Sequence, residues 1–294
     1  MFTGSDVIAL RQKTGAGVLD CKKALTETDG DMEKAIDYLR EKGIAKAAKK
    51  ASRIAAEGIV AAKIEGKTGV LVEVNCETDF VANGEKYREF VAGVANYVLA
   101  NDVKDAEALI EAKKDETIEA TATIGEKIAI RRFVKYTAGD NGLVTSYIHM
   151  GGKVGVLVEL EGCTCEKAQA AAHDVALQIA AAKPLYLNAS EVPQEVLEHE
   201  KEILKAQALN EGKPAAIIDR MVEGRVKKYY DEFCLINQVF IKDPSLTIEK
   251  YLANVSKEMG KMLTVKRFTR FEMGEGLEKR NDDFAAEVEA QMKK

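Results

Sequence analysis

The chain has 294 residues, a formal net charge of -5 and 31% charged residues. That length buries a sizeable core and suits more than one module. The acidic balance works against a nucleic-acid or anionic-membrane surface, and no run approaches the roughly 20 apolar residues of a membrane span.

Residues 5–43 read as three helices. Val7, Ile8 and Leu10 fit a short first helix, which Gly15-Ala16-Gly17 breaks. Val18, Leu19, Cys21, Ala24 and Leu25 recur at helical spacing in a second. Asp31 can cap a third, carrying Ala35, Ile36 and Leu39, and Gly43 is expected to stop it. So few apolar residues make a marginal core, and such a bundle usually exists to present a surface. Residues 44–56 hold Lys46, Lys49, Lys50 and Arg53 with no acid among them. They read either as a solvated helical linker or as a phosphate-facing patch.

Strands begin at Gly58. Residues 58–64 and 66–75 read as a hairpin. A helix with Phe90, Val91, Val94, Tyr97 and Val98 follows, then a polar helical stretch over 105–121 and a strand over 127–136. The pattern then restarts. Gly66-Lys67-Thr68-Gly69-Val70-Leu71-Val72-Glu73 recurs as Gly152-Lys153-Val154-Gly155-Val156-Leu157-Val158-Glu159, with a single position changed. The second copy pairs with residues 142–148, precedes a helix with Ala172, Val175, Ala176 and Ile179, and is matched by a last strand over 263–271. Each half is therefore hairpin, helix, later strand. Antiparallel sheets with helices on one face make an α+β core of two related halves. Residues 190–233 interrupt the second half with two apolar stripes, Val192 to Leu204 and Ile218 to Tyr229, about a break at residues 210–214. They read as an antiparallel helical hairpin. A short amphipathic helix with Phe284 and Val288 closes the chain, packing weakly or docking on a partner.

The sequence offers little chemistry. Gly15-Ala16-Gly17 lacks the downstream Gly-Lys-Ser/Thr of a phosphate loop. His149, His173 and His199 are dispersed, and no catalytic constellation assembles. Cys21, Cys76, Cys163, Cys165 and Cys234 are scattered and odd in number, which fits reduced thiols. Cys163-Thr164-Cys165 lacks the second half of a zinc site. No cofactor, metal or catalytic residue is expected. The opening residues lack a secretory signal pattern, so a cytoplasmic location is expected. The weight moves to a binding protein. Only the first copy of the repeated strand runs into Asn75-Cys76-Glu77-Thr78-Asp79-Phe80-Val81-Ala82. Two readings stand for it. Thr78 or Asp79 caps the next helix while Phe80 enters the core, or an aromatic wedge beside an anion pries something open in a partner.

Several segments resemble the bacterial elongation factor Ts family. They are the run from Leu10 to Leu25 (LRQKTGAGVLDCKKAL), Val74 to Ala82 (VNCETDFVA), Ile179 to Pro184 (IAAAKP), Met221 to Arg225 (MVEGR) and Phe284 to Val288 (FAAEV). They fall in order along nearly the whole chain. The resemblance implies a ubiquitin-associated-like three-helix domain with its linker over 1–54. It also implies a core of two halves over 55–139 and 140–273, a coiled-coil insertion at about 190–233 and a C-terminal module over 274–294. It implies a nucleotide exchange factor, without bond-making chemistry, that binds elongation factor Tu in GDP-bound and nucleotide-free states and touches neither the nucleotide, nucleic acid nor membrane. The implied contact residues are Arg11, Val18 and Leu19, then Thr78, Asp79, Phe80 and Val81, then Ile124, Gly125, His149 and Phe284. The phenylalanine would insert between helices of the partner's nucleotide domain.

Overall fold

A computed structural model describes residues 2–212 and 214–278. The protein is α+β, and its contacts divide it into two compact units. Among the described residues the first holds 2–61, 72–133 and 272–278, and the second holds 62–71, 134–212 and 214–271.

The first unit opens with helices α1 (Gly4–Thr14), α2 (Val18–Glu27) and α3 (Met32–Lys50). Thr3 and Asp6 cap α1 reciprocally, and the Asp6 carboxylate accepts from the Thr3 amide at 2.7 Å. Gly15 ends α1 in the left-handed conformation, at φ 64°. Asp31 caps α3, accepting from the amides of Glu33 and Lys34 at 3.1 Å each. Val7, Leu10, Cys21, Ala24, Leu25 and Ala35 form the small core of this bundle.

Gly43 does not stop α3, which continues to Lys50. A side chain at Gly43 would place its Cβ 3.4 Å from the Cβ of Ala122. The glycine is a close-packing position against helix α7 (Lys114–Ile124) rather than a helix end. A mid-helix glycine costs about 1 kcal/mol relative to Ala, which this helix–helix approach offsets. The polar stretch over 105–121 resolves into α6 (Ala106–Ala112) and α7.

Strands β1 (Glu57–Glu65), β2 (Thr68–Cys76) and β3 (Ala129–Thr137) form one sheet in that order. Strands β4 (Gly142–His149), β5 (Val154–Glu161) and β8 (Thr264–Glu272) form another with the same arrangement, hairpin then later strand. β4 and β5 run antiparallel, from Gly142 opposite Glu161 to His149 opposite Val154. The repeated sequence is the middle strand of each sheet, where backbone groups of alternate residues bond to the two neighbours and the side chains are buried on both faces. β2 leads into the short helix α4 (Asp79–Ala82) and then α5 (Glu85–Ala100), and β5 leads into α8 (Glu166–Ala182). In the second unit Val156, Val158 and Leu160 pack with Ala172, Val175 and Ile179 of α8.

Each middle strand also carries a buried glutamate at the same place in the repeat. Glu73 accepts from Arg131 at 2.9 Å, from Arg132 at 2.5 Å and from the Gly274 amide at 2.8 Å. Glu159 accepts from Arg267 at 2.6 Å and pairs with Lys266 at 3.3 Å. In both halves the two cations are adjacent residues on the third strand of the sheet.

Helices α9 (Gln194–Asn210) and α10 (Ala215–Phe233) pack together through Ala208, Ile218, Val222 and Val226, with Leu197, Leu204 and Tyr230 half-buried against them. Tyr230 takes the place expected of Tyr229, which lies instead against Phe233 with ring centroids 4.6 Å apart. Strands β6 (Val239–Phe240) and β7 (Asp243–Thr247) and helix α11 (Ile248–Met259) follow, and these the sequence reading did not anticipate. Among the described residues no helix is long and apolar enough to cross a membrane. The expected C-terminal helix, with Phe284, lies outside the described residues.

Candidate functional site

β2 ends at Cys76, and the chain turns through Glu77 and Thr78 into α4. Of the two expected candidates, Thr78 and Asp79, it is Thr78 that caps that helix. Its backbone is extended, and its Oγ accepts from the Val81 amide at 3.3 Å. Phe80 does not enter the core and is 85% exposed. A single helical turn has only one inward side, and Val81 (half-buried) and Ala82 (buried) occupy it. Asp79 and Phe80 are left facing outward. A single exposed apolar side chain is common on protein surfaces, and what distinguishes Phe80 is the turn that holds it.

The turn is held by long-range contacts. The Glu126 carboxylate accepts from the amides of Glu77 and Thr78, at 3.1 Å and 2.9 Å, and from the Thr78 hydroxyl at 2.7 Å. Glu77 reciprocates by accepting from the Lys127 amide at 2.7 Å. Arg53 donates to Glu77 at 3.1 Å, and Lys127 donates to the Arg53 carbonyl at 2.9 Å. Lys50 donates to the Gly125 carbonyl. Burial pushes the Cys76 thiol up to about 12, and it donates to the Thr78 carbonyl at 3.1 Å. That thiol is a structural donor, not a nucleophile.

Other residues that the resemblance implies also lie in the first unit. Ile124 is half-buried, and Gly125 ends α7 exposed and left-handed at φ 93°. Both directly precede Glu126, so the carboxylate ties them to the 78–81 turn. On the bundle, Arg11 is exposed, and Val18 and Leu19 are 49% and 83% exposed. The α1–α2 connection comes near α7, since a Cβ at Gly15 would lie 3.6 Å from Thr123 Cγ2. The basic stretch of 44–56 is largely engaged within the chain. Lys46 pairs with Asp20 at 2.9 Å, while Lys50 and Arg53 take part in the contacts above. Of its four cations Lys49 is exposed and the other three have these partners, which favours the linker reading over the phosphate-facing one.

In the second unit His149 is the exposed last residue of β4, and its Nδ1 lies 3.0 Å from the Tyr147 hydroxyl. The Tyr147 ring also meets His173 edge-on at 5.8 Å. Sequence reasoning found the acid, the aromatic and the cap. It missed Glu126, Glu77 and Arg53, because nothing local marks a pairing between residues 48 apart.

These features are an outward aromatic on a braced turn and apolar side chains displayed by a small bundle. A family model described as Elongation factor TS matches residues 77–275. Elongation factor Ts of Clostridium novyi (strain NT) is 52% identical over 305 residues, covering 99% of this chain and 99% of that protein. The chain is thus a translation elongation factor. Within that class it belongs to the elongation factor Ts family.

Proposed function

We propose that this chain is a guanine-nucleotide exchange factor that binds elongation factor Tu and drives GDP from it by inserting Phe80. The observation that carries the reading is Phe80 itself, 85% exposed on a turn that Thr78 and Glu126 brace. An aromatic kept in water at a fixed place is an anchor without its pocket. Inserted between helices of the partner's nucleotide domain, with Asp79 in the same contact, it disturbs the magnesium and phosphate site. The chain makes and breaks no bond, and it need not touch the nucleotide. Exchange factor and nucleotide each weaken the other's binding by the same factor, because the cycle linking the two closes. Interface energy is spent on a distorted partner state.

One aromatic supplies a few kcal/mol at most. The rest comes from the other displayed residues: Arg11, Val18 and Leu19 on the bundle, read as a ubiquitin-associated-like domain over 1–54, together with Val81, Ile124 and Gly125. His149 serves on the second half of the core and Phe284 on the C-terminal module. On this reading the domains divide at about 54, 139 and 273, the α9–α10 hairpin is a coiled coil, and the protein works in the cytoplasm on GDP-bound and nucleotide-free partner.

The test is stopped-flow release of a fluorescent GDP analogue from elongation factor Tu, with and without this chain. A release rate that rises and saturates with chain concentration is expected. Complex formation with no acceleration would leave a passive binder or chaperone of the same partner in its place.

A further inference from the structure

We propose that Glu126 is the positioning residue of the Phe80 turn, fixing Thr78 so that the aromatic is presented already ordered. This rests on the exchange reading given above. The argument starts from α4. A four-residue helix has one turn and almost no propensity of its own, since nucleation is the unfavourable part of helix formation. Its order depends on its cap. The cap bond runs from the Val81 amide to the Thr78 hydroxyl oxygen, at 3.3 Å. A hydroxyl rotor is free to turn unless its hydrogen has a fixed acceptor. Glu126 Oε1 is that acceptor, at 2.7 Å. With the hydrogen committed to a carboxylate, the oxygen's lone pairs are left for Val81, and each bond polarises the other.

Glu126 does more than orient the rotor. Its second oxygen receives the amides of Glu77 and Thr78, the two residues where β2 gives way to the turn. One side chain therefore sets both the entry of the chain and the cap of its only helical turn. Glu77 closes the ring by accepting from Lys127, the residue after Glu126. Glu126 holds the amides of Glu77 and Thr78, and Glu77 holds the amide of Lys127. Arg53 on Glu77 and Lys127 on the Arg53 carbonyl extend the clamp to the segment just after α3.

The consequence for exchange is pre-organisation. A loose turn leaves Phe80 exposed as well, but the partner must then order it during insertion. Immobilising a side chain and a short loop lowers the rate or affinity by about three- to tenfold. Glu126 supplies that order in advance. It touches no partner on this account and acts through Thr78 and Phe80.

The experiment uses the full chain with Glu126→Ala, Glu126→Gln, Thr78→Val, Thr78→Ser and Phe80→Ala, and a Glu126→Ala/Phe80→Ala double variant. The first readout is amide hydrogen exchange on the free chain. Glu126→Ala and Thr78→Val should speed exchange at Val81 by about tenfold or more, while Thr78→Ser keeps its protection. Glu126→Gln should fall between, because its single carbonyl oxygen can accept from the Thr78 hydroxyl or from the two backbone amides but not from both. The second readout is GDP release at saturating chain. Glu126→Ala should lower the maximal rate about three- to tenfold, and should have no further effect once Phe80 is gone. An equal loss in both backgrounds would mean general damage and would overturn the proposal, as would wild-type Val81 protection in Glu126→Ala. If Phe80→Ala itself releases GDP at the wild-type rate, the exchange reading fails while the hydrogen-exchange arm still decides the clamp.

Discussion

Replacing Phe80 with Ala separates fold from function in one substitution. With 85% of its surface already in water, Phe80 has almost its whole side chain available for burial in a partner. Complete burial of a phenylalanine is worth about 1.5–3 kcal/mol. If that burial is realised only as GDP leaves, the variant releases GDP slower by about 10- to 150-fold at saturation. The same exposure predicts almost nothing for the free protein. Removing a side chain that makes few contacts should move folding stability by no more than about 0.5 kcal/mol. The assay is the maximal rate of GDP release from elongation factor Tu in stopped flow, paired with a thermal melt of the chain alone. A rate within about twofold of wild type would remove Phe80 from the mechanism. A melt lowered by several degrees would show instead that Phe80 packs inward and that the exposed turn is the wrong description.

Other expectations follow from particular contacts. Glu73→Ala removes the buried acceptor that Arg131 and Arg132 share with the Gly274 amide, leaving the arginines their contacts with Glu272 and Glu275. It should cost about 3 kcal/mol in urea unfolding, and a loss under about 1 kcal/mol would mean the cluster contributes little. Cys165 is exposed at the start of α8, and its thiol is held below the ordinary thiol range, first by the Cys163 side chain and then by the Ala168 amide. Iodoacetamide at pH 7.5 should modify Cys165 first, with buried Cys76 last because its thiol is pushed up to about 12. Peptide mapping that finds Cys76 alkylated as fast as Cys165 would contradict both assignments. Asp31 lies below its ordinary 3.8, chiefly through the Lys34 amide it caps. A depressed carboxyl stabilises the fold above its unfolded value and loses that contribution as pH falls through its folded value. Stability should therefore decline below about pH 4, less steeply in Asp31→Asn; identical acid slopes would exclude the cap as a contributor.

The amino-acid sequence by itself determined what depends on neighbours a few residues away. Apolar spacing gave the bundle helices and the α9 and α10 stripes, and Asp31 was legible as a cap, with Thr78 as one of two candidates, because a cap bonds to the next turn. The near-copy of one strand was enough to expect two similar half-cores, since a repeated pattern folds by repeated rules. Family resemblance then named the partner that periodicity has no means of naming. Where local rules failed, a distant residue had overruled them. Gly43 reads as a helix stop, yet Ala122 packs against it and α3 runs on. Phe80 reads as core by its type, yet Val81 and Ala82 fill the only inward side of α4, and Glu126, 48 residues from Thr78, braces the turn that leaves it outside. Tertiary structure decided these because burial and long-range hydrogen bonds are properties of what packs nearby, and sequence distance carries no record of that.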